Sequence, residues 1–472
     1  MILQLLHSTV NRFVGFKQIW SVLAVVACLF VVNITANSGG VVNRNSQFHY
    51  DGGGYYGYLP AYFIYQDFSY SFFTTNGFDA KQFIQEKDGK ILNKYAIGIA
   101  LLQAPFFLAG HYTAVNSHKH EANGFSPPYK HWLLIGSLFY IGLALFCLRA
   151  VLLFYFPDPV TALTLIILVA GTNLLYYGTY DLTMSHIYSF FLFSVLLYLT
   201  HKWHQSKQSF YIVGIGFCVG FIGCVRLTNL VAVLVPLLWG ISSVAQVTER
   251  FRLLWQHRYW VLGGIAAVFV GLFPQLLNYK LQTGMWTISL YNDEPFYWTE
   301  PLVGRVLFSF RKGWFVYSPL MMLGLVGFVW LKRFCNDGLT ALPVFFLVNV
   351  YVVSSWWCWW YGGGFGMRAL VETSAFWSVP IAACIYRITQ TNVVKYFFTA
   401  LLPIFLLLNL LQTEQYSRGI IHYEAMSKKS YFAILGYKHP VSDKVMEKRD
   451  KHLRYIEGWR ARIDKKARRA ID

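Results

Sequence analysis

Long apolar runs, separated by polar, aromatic or basic stretches, repeat along nearly the whole chain. Backbone in lipid must satisfy its own hydrogen bonds, and a helix of roughly 20 apolar residues spans a bilayer. The pattern therefore predicts an all-α polytopic membrane protein. Spans are expected at 20–36, 132–154, 160–175, 187–200, 211–225, 227–244, 260–276, 314–331, 342–354, 370–386 and 396–411, about eleven in all. The apolar run 210–244 is too long for one helix, and the polar set Arg226-Leu227-Thr228-Asn229 divides it. The segment 94–110 is short for a span and is interrupted by Pro105.

Basic loops favour the cytoplasmic side. Lys202 and Lys207, then Arg250, Arg252 and Arg258, then Lys332 and Arg333, then the loop 387–395 alternate consistently if the chain starts inside. This works only if 94–110 does not cross, so that segment is expected to lie along the interface or to re-enter. The long stretch 37–93 then becomes a first outer loop. The expected division is a transmembrane domain over 1–413 and a basic C-terminal tail over 414–472. Alternation puts the tail outside, against the tendency of its own charge.

Composition agrees. The chain of 472 residues is 56% hydrophobic, 19% aromatic and only 13% charged. Soluble proteins carry about 25% charged residues. The net charge of +18 resides largely in loops and tail, where it suits anionic lipid headgroups, and nucleic acid is not an expected partner. The seven cysteines lie mostly in or beside apolar runs without a CxxC pair, so they read as small buried hydrophobes. Arg12 and Lys17 precede the first run as in a signal peptide, but no cleavage site is convincing and the run is read as a retained helix.

The candidate chemistry starts just after that helix, in His49-Tyr50-Asp51-Gly52-Gly53-Gly54-Tyr55-Tyr56-Gly57-Tyr58-Leu59-Pro60. Asp51 is a carboxylate at the membrane boundary, though an aspartate before glycines also suits a turn. Tyr55 and Tyr56 fit the wall of a sugar site. Asp67 is a weaker candidate that also suits a helix cap. Lys94, Arg226, Arg305, Arg311, Lys312 and Arg368 all fall on the expected outer side. Snorkelling accounts for some of them, Arg311 first. Clustered Lys and Arg also bind phosphate, arginine bidentately, which points to a lipid-phosphate substrate. Asp181 and His186 flank a polar turn, where His186 is either a proton carrier or a structural histidine. Arg368 and Glu372, spaced i and i+4, are expected to form a local ion pair. Trp356-Trp357-Cys358-Trp359-Trp360-Tyr361 reads as an interfacial belt or a sugar-stacking surface.

With these residues in hand, the chain resembles the GT-C superfamily of integral-membrane glycosyltransferases, in the branch of the protein O-mannosyltransferases and the lipid A aminoarabinose transferase. The likeness rests on the first-loop acid in HYDGGGYYGYLP, the Lys94 segment KYAIGIALLQAP, and the sets RLTN, FSFRKGWFVYSP and WWYGGGFGMR. It implies transfer of a sugar from a polyprenyl-phosphate donor at the outer face, with inversion. Asp51 then looks like the general base or acceptor-orienting acid, and Lys94 like a contact to the donor phosphate. The acceptor expected is a glycolipid, polysaccharide or protein, at a bacterial inner membrane facing the periplasm. The paired acid and double proline of the mannosyltransferases are missing. Lys94, Arg226 and Arg368 can hold a phosphate leaving group without metal, and no cofactor is expected. The alternatives are a transporter or flippase of lipid-linked sugars and a surface-polysaccharide polymerase or ligase.

Overall fold

A computed structural model describes residues 18–87, 89–291 and 294–455. Arg12, Lys17 and the basic stretch 456–472 lie outside the described residues.

The chain opens with α1 (Ile19–Ser38), whose first amides are capped by a distant carboxylate. Asp158 accepts hydrogen bonds from Trp20 N at 2.8 Å and Ser21 N at 3.1 Å. A short glycine-rich helix, α2 (Tyr50–Tyr56), follows in the first outer loop. The hairpin of β1 (Ile84–Lys87) and β2 (Lys90–Asn93) then leads into α3 (Gly98–Val115). Next come α4 (Pro127–Tyr155), α5 (Asp158–Ala170), α6 (Ser185–Ser206) and α7 (Phe210–Val225). The amphipathic α8 (Val244–Gln256) precedes α9 (Arg258–Thr283). After a broken helical stretch the chain ends with α10 (Ala341–Ser355), α11 (Ser374–Thr389), α12 (Asn392–Ser417) and a folded tail with α13 (Lys428–Ile434) and α14 (Asp443–Asp450).

Among the described residues, six helices are long and apolar enough to cross a membrane. They are Ile19–Ser38, Gly98–Val115, Pro127–Tyr155, Arg258–Thr283, Asn336–Ser355 and Asn392–Ser417. The expected number near eleven is not reached by that measure. Asp158–Ala170, Phe210–Val225 and Leu227–Leu238 are apolar but shorter, and the expected span 314–331 is broken into short turns around Pro319. The division at Arg226 is real. The helix ends at Val225, Arg226 is extended (φ −159°, ψ 114°), and the chain resumes as a tight helical turn.

α7 and α9 pack closely because glycines line their contact. A Cβ at Gly216 would collide with the Gly264 carbonyl, and one at Gly220 with the Val268 carbonyl. Small residues of this kind let helix backbones approach in lipid, where no hydrophobic force draws helices together. This pair carries Arg226 at one helix end and Gln275 and Asn278 on the other.

The segment between α1 and α3 builds an aromatic core together with Phe125. Phe73 meets Phe125 at 5.1 Å and Phe83 at 4.8 Å, and Phe48 meets Phe125 edge-on at 5.2 Å. Such pairs add to plain burial and hold a loop that has little regular structure. Both flanks of α3 are tied to this loop. Before it, the Tyr95 hydroxyl donates to Asp51; after it, the Asn123 and Gly124 carbonyls accept from Tyr65 and Tyr56.

Candidate active site

A cavity of about 580 Å³ opens among α2, the chain after β2, the start of α6, the Arg226 break and the aromatic run 356–361. It is lined by Asp51, Tyr55, Lys94, Tyr95, His186, Arg226, Tyr291, Glu294, Trp357, Trp360, Arg368 and Glu424, among others.

Asp51 is delivered by α2. The glycines beneath it pack against protein. A Cβ at Gly54 would strike the Tyr95 ring, and one at Gly52 the Gln47 carbonyl. Removing those β-carbons lets Tyr95 lie on the helix and point its hydroxyl back at Asp51. The Asp51 carboxylate accepts from Tyr95 Oη at 2.6 Å and pairs with Arg368 Nη2 at 2.7 Å. Burial pushes the Asp51 carboxyl up, but the Arg368 charge and the Tyr95 hydroxyl outweigh it, so its pKa lies below the ordinary value of 3.8. Asp51 is therefore an anion at neutral pH.

Asp181 lies within electrostatic reach of both Asp51 and Arg368. Among the described residues its carboxylate has no hydrogen-bond partner. Burial raises its pKa to about 6, Arg368 working against the rise and Asp51 with it.

The other two cations also meet acids. Lys94 pairs with Glu294, whose second oxygen accepts from Trp357 Nε1 at 3.1 Å. The Asn93 side chain donates to the Gly54 carbonyl, and its amide donates to Gln282 on α9, so the hairpin that delivers Lys94 is anchored on two sides. Arg226 donates to Glu372 at 3.3 Å and stands over the Tyr361 ring at 5.3 Å. Glu372 is fully buried, and it also bonds Asn229 Nδ2 at 3.1 Å and His186 Nδ1 at 3.1 Å. Among the described residues the buried His186 Nε2 has no hydrogen-bond partner.

Thus Asp51, Tyr55, Lys94, His186, Arg226 and Arg368 share one cavity, and Asp181 stands close by. Other expected site residues do not line it. Lys312 is buried behind it and donates to the Gly364 and Tyr423 carbonyls. Arg305 stands over the Trp359 ring at 5.9 Å. Asp67 accepts from the amides and hydroxyls of Ser69 and Ser71, a local turn. Tyr56 is buried and bonded to the Gly124 carbonyl. The expected ion pair of Arg368 with Glu372 does not form. Residues 368–370 form a tight turn and α11 starts only at Ser374, so the two do not share an α-helical face.

Glu294 and Glu424 carried no chemical signal in the sequence beyond their charge. Glu424 belongs to the tail and lines the same cavity as Asp51. Among the described residues no three His, Cys, Asp or Glu side chains converge as metal ligands would.

No family model matches the chain, and no curated protein matches it in sequence. Solved structures do. The apo crystal structure of the Archaeoglobus fulgidus oligosaccharyltransferase aligns with a TM-score of 0.50 at 11% identity, over 93% of this chain and 59% of that one. The likeness shows a shared fold with that oligosaccharyltransferase. The archaeal oligosaccharyltransferase AglB of the same organism, in complex with an inhibitory peptide and a dolichol-phosphate, gives 0.49 at 13% identity over the same shares. The chain therefore spans 59% of the length of these structures, and at such identity the likeness speaks for the fold alone.

Proposed function

We propose that this protein is a GT-C-type glycosyltransferase. In this reading it transfers a sugar from a polyprenyl-phosphate-linked donor to an acceptor at the outer face of its membrane, with inversion and without a metal. The observation that carries the reading is the Asp51–Arg368 pair. It places an anionic carboxylate and a cation side by side, in a cavity that also holds Arg226 and Lys94.

The chemistry follows from these groups. An acceptor hydroxyl oxygen attacks the anomeric carbon, and the bond from that carbon to the phosphate oxygen breaks. The hydroxyl proton passes to Asp51, and the lipid phosphate departs as an anion. Arg368, Arg226 and Lys94 stabilise the charge that develops on it. Asp51 is a weak base while Arg368 neutralises it. A donor phosphate that draws on the Arg368 charge raises the basicity of Asp51 at the moment it is needed. α3 fits this site as a re-entrant helix, because both of its flanks meet the first outer loop.

The test is transfer in membranes supplied with labelled polyprenyl-phosphate sugars and scored by the mass of the product. Asp51→Asn is expected to abolish product without loss of protein from the membrane. Full transfer by that variant would remove Asp51 from the mechanism.

A further inference from the structure

The tail does more than cover the outer surface. At residues 422–425 its backbone is clamped at consecutive positions. Lys312 Nζ donates to the Tyr423 carbonyl, Arg311 Nη1 to the Glu424 carbonyl at 2.8 Å, and Arg454 N to the Ala425 carbonyl at 2.8 Å. The amides of Glu424 and Ala425 both donate to His422 Nδ1, at 3.1 and 3.0 Å. Arg311 and Lys312 are each 2% exposed. Burying two cations is costly unless they are bonded, and here each gives a hydrogen bond to this short loop, with further bonds from Arg311 to the Arg454 carbonyl and from Lys312 to the Gly364 carbonyl.

Ala425 anchors that loop in the core, while Tyr423 and Glu424 present their side chains. Tyr423 is 56% exposed, and its ring stacks on His422 at 4.4 Å. Glu424 turns into the cavity, where Trp360 Nε1 donates to one of its oxygens at 2.9 Å. Tyr50 is also exposed, next to the cavity-lining Asp51 as Tyr423 is next to the cavity-lining Glu424, and it lies within electrostatic reach of Tyr423. Its backbone is held at φ +48°, a left-handed conformation that costs energy for a tyrosine, and its amide is fixed by Gln82 Oε1 at 3.1 Å. Strain held by surrounding structure beside a reactive carboxylate marks a functional position.

We infer that Tyr50, Tyr423 and Glu424 form the acceptor subsite, and that the acceptor is a glycan. The inference rests on the glycosyltransferase reading above. Two tyrosine faces at the mouth suit the apolar face of a sugar ring, and the carboxylate of Glu424 accepts a hydrogen bond from a ring hydroxyl. Asp51 lies just inside, so a sugar on this platform directs a neighbouring hydroxyl at the reacting carbon. The clamped backbone means little order is lost on binding, which favours affinity.

Two measurements on the full-length protein in detergent test this. The first is saturation-transfer NMR with a panel of methyl glycosides and disaccharides, which needs no donor. Contacts are expected with the wild type, are lost in Tyr423→Ala, and are kept in Tyr423→Trp and in Asp51→Asn. The second is transfer kinetics, in which Tyr423→Ala raises the acceptor KM about tenfold, the usual size of a lost aromatic anchor, and leaves kcat within about twofold. Absence of any glycan contact in the wild type, equal contact in Tyr423→Ala, or preference for a serine-bearing peptide overturns the inference. Glycan contact that depends on Tyr423, with no sugar released from any polyprenyl-phosphate donor, instead sinks the donor reading and leaves the glycan subsite standing.

Discussion

Around the cavity, Lys94, Arg226 and Arg368 each face a carboxylate, whereas behind it Arg311 and Lys312 face backbone carbonyls of the tail. All five look alike in the sequence, as basic residues on the expected outer side. The partners set them apart. A carboxylate is an anion that a phosphate can replace, and the freed acid is then available for another task. A carbonyl is part of the fold, and the cation bonded to it is a fixed post. The Asp51–Arg368 and Lys94–Glu294 pairs are partly solvated, with the Asp51 side chain 28% exposed, so exchange there does not bury a bare charge, whereas the buried Glu372 keeps its bonds to His186 and Asn229 when Arg226 turns to a phosphate. The posts are buried, and their loss leaves carbonyls without donors.

The comparison is broken first at Asp51. Asp51→Asn should cut transfer by about 10²–10⁴-fold, the span of general-base effects, as read from initial rates at saturating donor. Arg368→Ala should cost about 10²–10³-fold, the loss of one well-placed charge donor. It should also move the acid limb of the rate–pH profile upward, because burial of Asp51 is then opposed only by the Tyr95 hydroxyl and the Lys94 charge. An unmoved limb would show that Arg368 does not set the Asp51 charge. Lys312→Met should behave in the opposite way, as a stability variant. Two hydrogen bonds from a charged donor are lost, about 3 kcal/mol in all. Limited proteolysis is expected to cut the tail, with donor affinity unchanged. A raised donor KM with an intact tail would return Lys312 to the phosphate site.

The smallest effect concerns Asp181. Its folded-state pKa is raised, to about 6 from 3.8. The unfolded chain therefore ionises first as pH rises. The resulting loss of stability is absent below pH about 4, grows between 4 and 6, and is complete above 6. Asp181→Asn should remove that loss, worth about 2 kcal/mol once partial solvation is allowed for. The melting temperature in detergent should rise at pH 7.5 and stay unchanged at pH 4. A rise at both would assign the gain to packing.

Much of the site was legible because membrane insertion is a strong constraint. Few polar residues survive in apolar runs, so Asp51, Lys94, Arg226 and Arg368 stood out, and alternation placed them on one side. The division at Arg226 was also visible, since 35 apolar residues cannot form one span. What misled was local reasoning about partners. Glu372 pairs with Arg226 and His186, more than 140 residues away in each case, and not with Arg368 four residues before it. The glycines of the opening loop make room for Tyr95 and the Gln47 carbonyl, contacts that no local pattern announces. The eleven expected spans assumed that each apolar run is one regular helix, whereas prolines and short turns break the stretch after Trp314.

The sequence by itself determined a membrane protein with a long aromatic segment after its first helix, an acid near the start of that segment, and cations at the ends of later apolar runs. Hydrophobicity and charge along the chain carry that information directly, because the bilayer acts on each segment separately. Only the tertiary structure decided which cation meets which acid, that Lys312 and Arg311 serve the tail, and that Glu424 reaches the cavity of Asp51. Those choices depend on distances between segments far apart in the chain. Pairing energies act only at contact, so no local pattern records them.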